Sequence, residues 1–460
     1  MDGLTGQLAG FVARTGIDRI PDEAACIIRA GFIDAVATML AGRDQPVTEL
    51  VREHVRAKRS DLAEASLLLG QERAGAPEAA LVNGVAAHAL DYDDVALAGH
   101  PSTVLVPAVL AEGEALGASG LAAMRAYLVG YEVWAELIGR EPGSHHAKGW
   151  HPTGVFGTVA AAAAAANLRG LDAERSRHAL AIAASLAAGL TANFGTMTKP
   201  FHAGRAAANG IEAARLARAG MTAAPDALEH AGGFLSALSP GGDVDRSRPA
   251  SDLGGKLAIL ELGLSIKRYP MCYATHRVID GVLDLARAHR FAPADVARVE
   301  ATIGWTQAGM LRNHAPVTGL EAKFSLEFAV AAALTAGKVG LAELTDEFVG
   351  RPAVRDAMRK LSIATTETRC TLEPAFALTD RVAITLKDGR ILDSGEIRFA
   401  RGNAKLPLQD DELRAKFMDC AKSAAYADAA ALFERLARLE RLSAIAELTG
   451  RRTFAASPQP

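Results

Sequence analysis

The sequence predicts a mainly α fold: a large helical domain joined to a smaller α+β domain. Three observations lead there. Over roughly the first 260 residues, apolar side chains recur at three- and four-residue spacing between Gly/Pro breaks. Several of these runs are unusually rich in alanine and glycine, as helices covered on most sides are. Beyond Lys267 the pattern changes, and stretches of period-two alternation are mixed with further helices.

Taken in order, residues 24–40 form a helix with Ala25, Ile28, Phe32, Ala35, Val36 and Met39 on one stripe. Breaks follow at residues 141–143 and 240–242. Residues 159–166 are nearly all alanine, and residues 179–192 are rich in it. The most apolar stretch, 155–168, is too short and too weakly apolar to span a bilayer. Residues 296–303 (VARVEATI) alternate as a half-buried strand does. Residues 381–386 read as a strand entering an Asp388-Gly389 hairpin turn. Between them lie helices at 326–336 and 341–344, and the tail returns to helix at 410–420 and 424–448. Ser457–Pro460 is expected to fray.

Composition narrows the function. The 460 residues are 50% hydrophobic and 22% charged with a net charge of −3, ordinary for a soluble globular chain. No clustered basic face is present, so nucleic acid is not an expected partner. The cysteines Cys26, Cys272, Cys370 and Cys420 form no CxxC pair, which argues against a zinc site and a disulfide framework and fits a reducing cytoplasm. Residues 1–16 lack the basic-then-apolar order of a signal peptide, and no membrane partner is expected.

Four segments concentrate polar chemistry. In the first, His88, Asp91, Asp93 and Asp94 run on to His100-Pro101-Ser102. His88 and Asp91, three apart, would share a face if both were helical. Either a helix end with solvated aspartates or a Mg²⁺/Mn²⁺ site fits this spacing. The second, His145-His146-Ala147-Lys148-Gly149-Trp150-His151-Pro152, puts His151 at the start of the alanine helix, as a cap or beside a bound anion. The third, Thr198-Lys199-Pro200-Phe201-His202, suits a carboxylate or phosphate, or is a solvated loop; Lys199 before a proline does not belong in a helix interior. In the fourth, Lys267-Arg268-Tyr269-Pro270-Met271-Cys272, followed by His276, the cations could clamp a carboxylate. Cys272 and His276 could form a thiol–imidazole pair on a helix, or Cys272 is a small buried hydrophobe. No Walker loop, Rossmann glycine set or HExxH helix is present, which disfavours nucleotide cofactors.

Together the strings AHALDYDD, HPSTVLVPAVLAEGE, GWHPTGVFG, TKPFHAGRAAANG, IKRYPMCYATHRVID and EAKFSLEFAVAAAL resemble the MmgE/PrpD family, in the family's order. The resemblance implies a large all-helical domain from residues 1–265 plus 402–460, with an α+β lid domain, 266–401, inserted between them. It implies a homodimer that uses no metal and no organic cofactor. Family activities include dehydration of 2-methylcitrate, decarboxylation of cis-aconitate and epimerisation of iminodisuccinate, each moving a proton beside a carboxylate. By the same resemblance the catalytic positions are Asp91, His100, His151, Lys199 and Lys267. Arg268, Cys272, His276, His88 and His145 are expected to bind substrate. The chain departs from the cis-aconitate decarboxylase pattern at Val95, Cys272 and Phe328 and in a shorter loop before His100, with His276 placed to take over an imidazole role. The leading expectation is therefore a hydro-lyase of a hydroxy-polycarboxylate, 2-methylcitrate dehydratase-like. Epimerisation, decarboxylation and polycarboxylate binding without turnover stand as alternatives.

Overall fold

The computed structural model describes residues 3–16, 20–58, 61–250, 253–373 and 375–449. Ser457–Pro460, expected to fray, lies outside them. The chain is mainly helical and divides into two compact units, Met1–Leu264 with Leu413–Pro460, and Ser265–Glu412.

The first unit contains α1 (Leu4–Arg14), α2 (Asp22–Ala41), α3 (Pro46–Ala57), α4 (Ala76–His88), α5 (Ser102–Leu116), α6 (Gly120–Ile138), α7 (His145–Lys148), α8 (Pro152–Leu168), α9 (Ala173–Leu186) and α10 (Thr198–Arg218). A short hairpin that the sequence reading did not anticipate, β1 (Ala65–Ser66) with β2 (Arg73–Ala74), precedes α4. Proline sits in the first turn of α3, α4 and α8, where its missing N–H removes no helical bond. The alanine run makes α8 buried from Pro152 to Asn167, packed against α6 and α10. α4 crosses α10 where two glycines meet: a Cβ on Gly84 would lie 2.7 Å from Gly204 Cα. That approach carries the C-terminal end of α4 towards the N-terminal end of α10, and the site forms there.

Among the described residues, the helix with the length and apolarity to cross a membrane is α2, not residues 155–168. Its most apolar window is 78% buried inside the unit, so it is a core helix of this fold.

The second unit holds a four-stranded sheet of β3 (Val296–Gly304), β4 (Leu361–Thr366), β5 (Arg381–Leu386) and β6 (Ile391–Asp393), in the order β4-β3-β5-β6. β3 pairs parallel with β4 and antiparallel with β5, Val299 standing between Leu361 and Ile384. The β5–β6 hairpin turns through Gly389 at φ 90°. Val296, Val299, Ala301 and Ile303 pack with Val278, Ile279 and Val282 of helix His276–His289 and with helix Leu326–Ala336.

Several expectations need correction. Strand β4 gave no clear signal, because most of its side chains are exposed or half-buried. Residues 341–344 make only a 3₁₀ turn, Leu341–Glu343, with the Glu343 carboxylate accepting the Gly340 N–H at 2.8 Å. The stretch 424–448 is not one helix. Ala425 turns left-handed at φ 50°, a short helix runs Ala429–Leu436, and 3₁₀ turns Leu439–Arg441 and Ile445–Thr449 follow. Leu432, Leu436, Leu439, Leu442 and Leu448 are all buried by this turning path. Residues 402–412 belong to the second unit rather than to the helical one. There Gly402 O accepts the Ile266 N–H at 2.7 Å, and the Ala404 N–H donates to Ser265 Oγ at 3.1 Å.

Candidate functional site

α4 ends at His88, and the chain turns through Asp91 at φ 52°. Aspartate tolerates this left-handed geometry better than most side chains. The turn removes Asp91 from the helix, so it does not share a helical face with His88, as its spacing suggested. The partner of His88 is Asp93.

Asp93, fully buried, receives two imidazoles. His88 Nδ1 donates to Asp93 Oδ1 at 2.9 Å, and His100 Nδ1 lies 2.7 Å from Asp93 Oδ2. His100 Nδ1 also meets the Asp94 carbonyl at 2.9 Å. Each Nδ1 faces only acceptors among these contacts, so each carries the proton and leaves its lone pair on Nε2. His100 Nε2 points towards Asp91 Oδ1, 3.8 Å away. Burial pushes His88 down to about 4, so this ring is neutral at pH 7. Burial alone would raise Asp93, but the two imidazoles facing it hold its carboxyl well below the usual range. Asp94 behaves oppositely: burial, with Asp34 and Asp93 nearby, raises it well above the usual carboxylate value. Asp94 Oδ2 accepts from Ser102 Oγ at 2.8 Å, tying the loop to the start of α5.

From the other side come α8 and α10. His151 is the N-cap of α8, but its side chain does not cap. Its N–H donates to Gly189 O at 3.0 Å, and its Nδ1 lies 3.1 Å from His202 Nδ1. Gly189, at φ 143°, passes so close that a Cβ would sit 3.3 Å from the His202 ring. Burial, then the nearby His88, His100, Lys199 and His202, pushes His151 far down, so it too is neutral. Lys199 stands in the first turn of α10, followed by Pro200, and outside the helix interior as its proline neighbour requires. Its Nζ donates to Asp91 Oδ1 at 2.9 Å and lies 5.2 Å from the Phe194 ring.

The fold thus gathers His88, Asp91, His100, His151 and Lys199. The ring centroids of His88 and His100 are 4.4 Å apart, and those of His100 and His151 6.5 Å. Asp93, His146 and His202, which stand in the polar segments without an assigned site role, join them, as does Phe194, which the sequence does not mark. All four lie in or beside the same strings, so the signal was proximity in sequence rather than spacing. His145 is placed differently: it is buried with its ring edge-on to Phe156 at 4.8 Å, while His146 lies 6.5 Å from His151.

The remaining candidates lie in the second unit. Lys267 is buried there. Arg268 pairs with Glu412 at 2.9 Å and stacks over Tyr269, which commits its guanidinium within the unit. Cys272 and His276 do not lie on one helix: a 3₁₀ turn, Tyr273–Thr275, separates them, and His276 opens the next helix. His276 is fully buried between the rings of Tyr269 and Tyr273, each 5.1 Å away, with Nε2 facing Met271 O at 3.3 Å.

Chemically, the first-unit cluster offers an ammonium, a lone pair on His100 Nε2, and the buried neutral imidazoles of His88 and His151. Asp91 takes one of the three ammonium donors. The ligand atoms of His88, Asp91, Asp93 and His100 lie within 4.8 Å of one another, a set that could hold a divalent cation. The Lys199 ammonium already supplies positive charge to Asp91 at that place.

Residues 6–247 match the model of the MmgE/PrpD N-terminal domain, and residues 269–440 that of the MmgE/PrpD C-terminal domain. The chain belongs to the MmgE/PrpD family. The MmgE/PrpD N-terminal domain contains the whole histidine–aspartate–lysine cluster, and the C-terminal one begins just after Lys267 and Arg268. Among similar proteins, cis-aconitate decarboxylase of Homo sapiens is 30% identical over 476 residues, covering 100% of this chain and 96% of the relative. Cis-aconitate decarboxylase of Mus musculus is 29% identical, covering 91% of this chain and 86% of the relative. A cis-aconitate decarboxylase of Aspergillus terreus is 26% identical, with 78% of each covered.

Proposed function

We propose that this chain is a lyase acting on a small polycarboxylate, and that decarboxylation of cis-aconitate is its first candidate reaction. The observation that carries the reading is the convergence of Lys199, Asp91, His100 and His151 in one partly buried cluster, with Lys199 and Asp91 at its accessible side. Breaking a carbon–carboxylate bond releases carbon dioxide and leaves an electron pair on carbon. A conjugated neighbouring carboxylate accepts that pair only if a cation stabilises the added charge, in a site that excludes water. Lys199 fits this role. The carbon must then receive a proton, and an imidazole or the ammonium itself delivers it. Full-length similarity to decarboxylases of this name supports the reaction.

A second reading keeps the same site: loss or addition of water at a hydroxy-polycarboxylate such as 2-methylcitrate. The departures at Val95, Cys272 and Phe328 alter the decarboxylase pattern while leaving the cluster intact, which keeps this reading open without choosing between loss of water and movement of a proton. Phe328 is fully buried against Phe348, so it offers no hydroxyl where the pattern has a tyrosine. Epimerisation of a dicarboxylate would use the same proton chemistry.

The deciding experiment is proton NMR in deuterated buffer, with purified protein and cis-aconitate, citrate, 2-methylcitrate, malate and iminodisuccinate. Decarboxylation gives carbon dioxide and a deuterated product. Dehydration gives a new alkene without carbon dioxide. Epimerisation gives deuterium in recovered substrate. No change in any of them would overturn the lyase reading.

A further inference from the structure

Behind the cluster lies a buried charge that none of these steps uses. Lys416, in helix Asp410–Ser423, has a side chain 2% exposed and lies 2.5 Å from Oδ1 of Asp34 in the middle of α2. Its ammonium also donates to the Tyr92 carbonyl at 2.7 Å and sits 4.0 Å over the Tyr92 ring. Tyr92 stands between Asp91, which meets Lys199, and Asp93, which orients His88 and His100.

We propose that Lys416 is a positioning residue of the site, acting through the Tyr92 carbonyl to hold the Asp91–Asp94 loop. A buried ion pair alone gives little reason for its presence, because an apolar pair of similar volume is often as stable. The bond to a loop carbonyl is what an apolar pair could not replace. It opposes relaxation of the left-handed turn at Asp91, whose φ is 52°. The other end of the loop is already fastened, with Asp94 bonded to Ser102. Held at both points, the backbone fixes Asp93 against the Nδ1 atoms of His88 and His100, and so keeps the His100 lone pair on Nε2.

The inference rests on the proposed lyase reading for its kinetic consequence, but its geometric consequence is measurable without substrate. Two paired variants separate positioning from charge balance. Lys416→Met with Asp34→Leu removes both charges and the donor to Tyr92. Lys416→Gln with Asp34→Asn removes both charges and keeps an amide donor. For each, the melting temperature, kcat and KM on cis-aconitate, and the ¹⁵N shifts of the His100 ring are measured. The expected result for the Met/Leu pair is a melting temperature near that of wild type, little change in KM, and a kcat lower by about 10²-fold, the cost of a site misplaced by about an ångström. His100 then shows a mixture of tautomers in place of the single Nδ1-protonated form, and the Gln/Asn pair recovers part of both losses. If both pairs are folded and leave kcat and the His100 shifts unchanged, or lower kcat equally without moving those shifts, the positioning role is overturned. Should the Met/Leu pair fail to fold, the Gln/Asn pair decides: a lowered kcat with a minor second tautomer of His100 supports the proposal, and wild-type kcat with unchanged His100 shifts overturns it. If wild type itself does not turn over cis-aconitate, the lyase assignment is what has failed, and the ring shifts still decide the role of Lys416.

Discussion

Lys199 Nζ lies 2.9 Å from Asp91 Oδ1, at the meeting of the N-terminal turn of α10 with the loop that follows α4. Both side chains are partly exposed, at 16% and 30%, so the pair contributes no more than about 1 kcal/mol to stability. Lys199→Met should therefore leave the melting temperature within a few degrees of wild type and lower kcat by at least about 10²-fold. Parallel thermal melts and steady-state kinetics check this; near-full turnover by the variant removes Lys199 from the mechanism.

His100 tests the lone-pair assignment. His100→Asn keeps an N–H near the Nδ1 position, able to serve the Asp94 carbonyl, but has nothing at Nε2. It should remain folded and lose about 10²- to 10⁴-fold in kcat. Circular dichroism with progress curves on the active substrate gives the answer, and retention of kcat would move the base elsewhere.

Asp93→Asn should be damaging for another reason. An amide cannot accept from both imidazoles without turning its NH₂ towards one of them, so one ring must adopt the other tautomer. A kcat loss of about 10²-fold or more is expected, accompanied by a change in the ¹⁵N signature of His88 or His100. Unchanged ring spectra in a folded Asp93→Asn variant would contradict the hydrogen-bond assignment.

His88 contributes one defined part of the pH dependence of stability. Its ordinary value is 6.5 and burial lowers it to about 4 in the folded chain. Between these values the unfolded chain binds a proton that folded His88 refuses, so stability rises with pH there and is lost as pH falls. The contribution is on the order of 3 kcal/mol, complete above about pH 6.5. His151, also lowered by burial, adds in the same direction. Asp93 is lowered too, but its stabilisation is lost only in more acid solution, below the ordinary carboxylate value of 3.8. Asp94 acts the other way, since burial raises it well above the ordinary carboxylate value and the folded chain takes up its proton first as pH falls. Asp380, pushed up to about 7 by burial, does the same. The His88 share is therefore read by comparing wild type with His88→Gln: the change in urea midpoint between pH 7.5 and 5.0 should shift towards lower stability at pH 7.5 relative to pH 5.0 in the variant, and an equal change in both would remove it.

Gly84 and Gly204 are expected to tolerate no side chain. Gly84→Ala places a methyl 2.7 Å from Gly204 Cα and should cost about 1–3 kcal/mol by forcing α4 from α10. Because His88 ends α4 and Lys199 opens α10, activity should fall further than stability alone explains. Equal losses would show that helix spacing does not set the site.

Helical periodicity and the alanine runs identified α2 and α8 from sequence, because both bury a face or a whole surface and leave a regular pattern. The strand at residues 296–303 was legible for the same reason. Strand β4 was not, since it is a mostly exposed edge. The tail misled because buried leucines at helical spacing also suit a path of short turns, once Ala425 adopts φ 50°. At the site, the ordered strings named the segments that converge, but pairings within them depended on backbone direction. His88 finds Asp93 rather than Asp91 because Asp91 turns left-handed. Cys272 and His276 separate because the helix starts only at His276. Lys416 gave no local sign at all, since its partners Asp34 and Tyr92 are distant in sequence and only the folded chain joins them.

The helical unit is discontinuous, made from the chain up to Leu264 and again from Leu413. During translation, the whole second unit is synthesised before Lys416, which pairs with Asp34. A chain stalled anywhere between Lys199 and Lys416 already contains Asp91, His100, His151 and Lys199 yet lacks the lysine proposed to seat their loop. On the proposed role of Lys416, the loop carrying Asp91 and Asp93 is seated only once nearly all of the chain has been made.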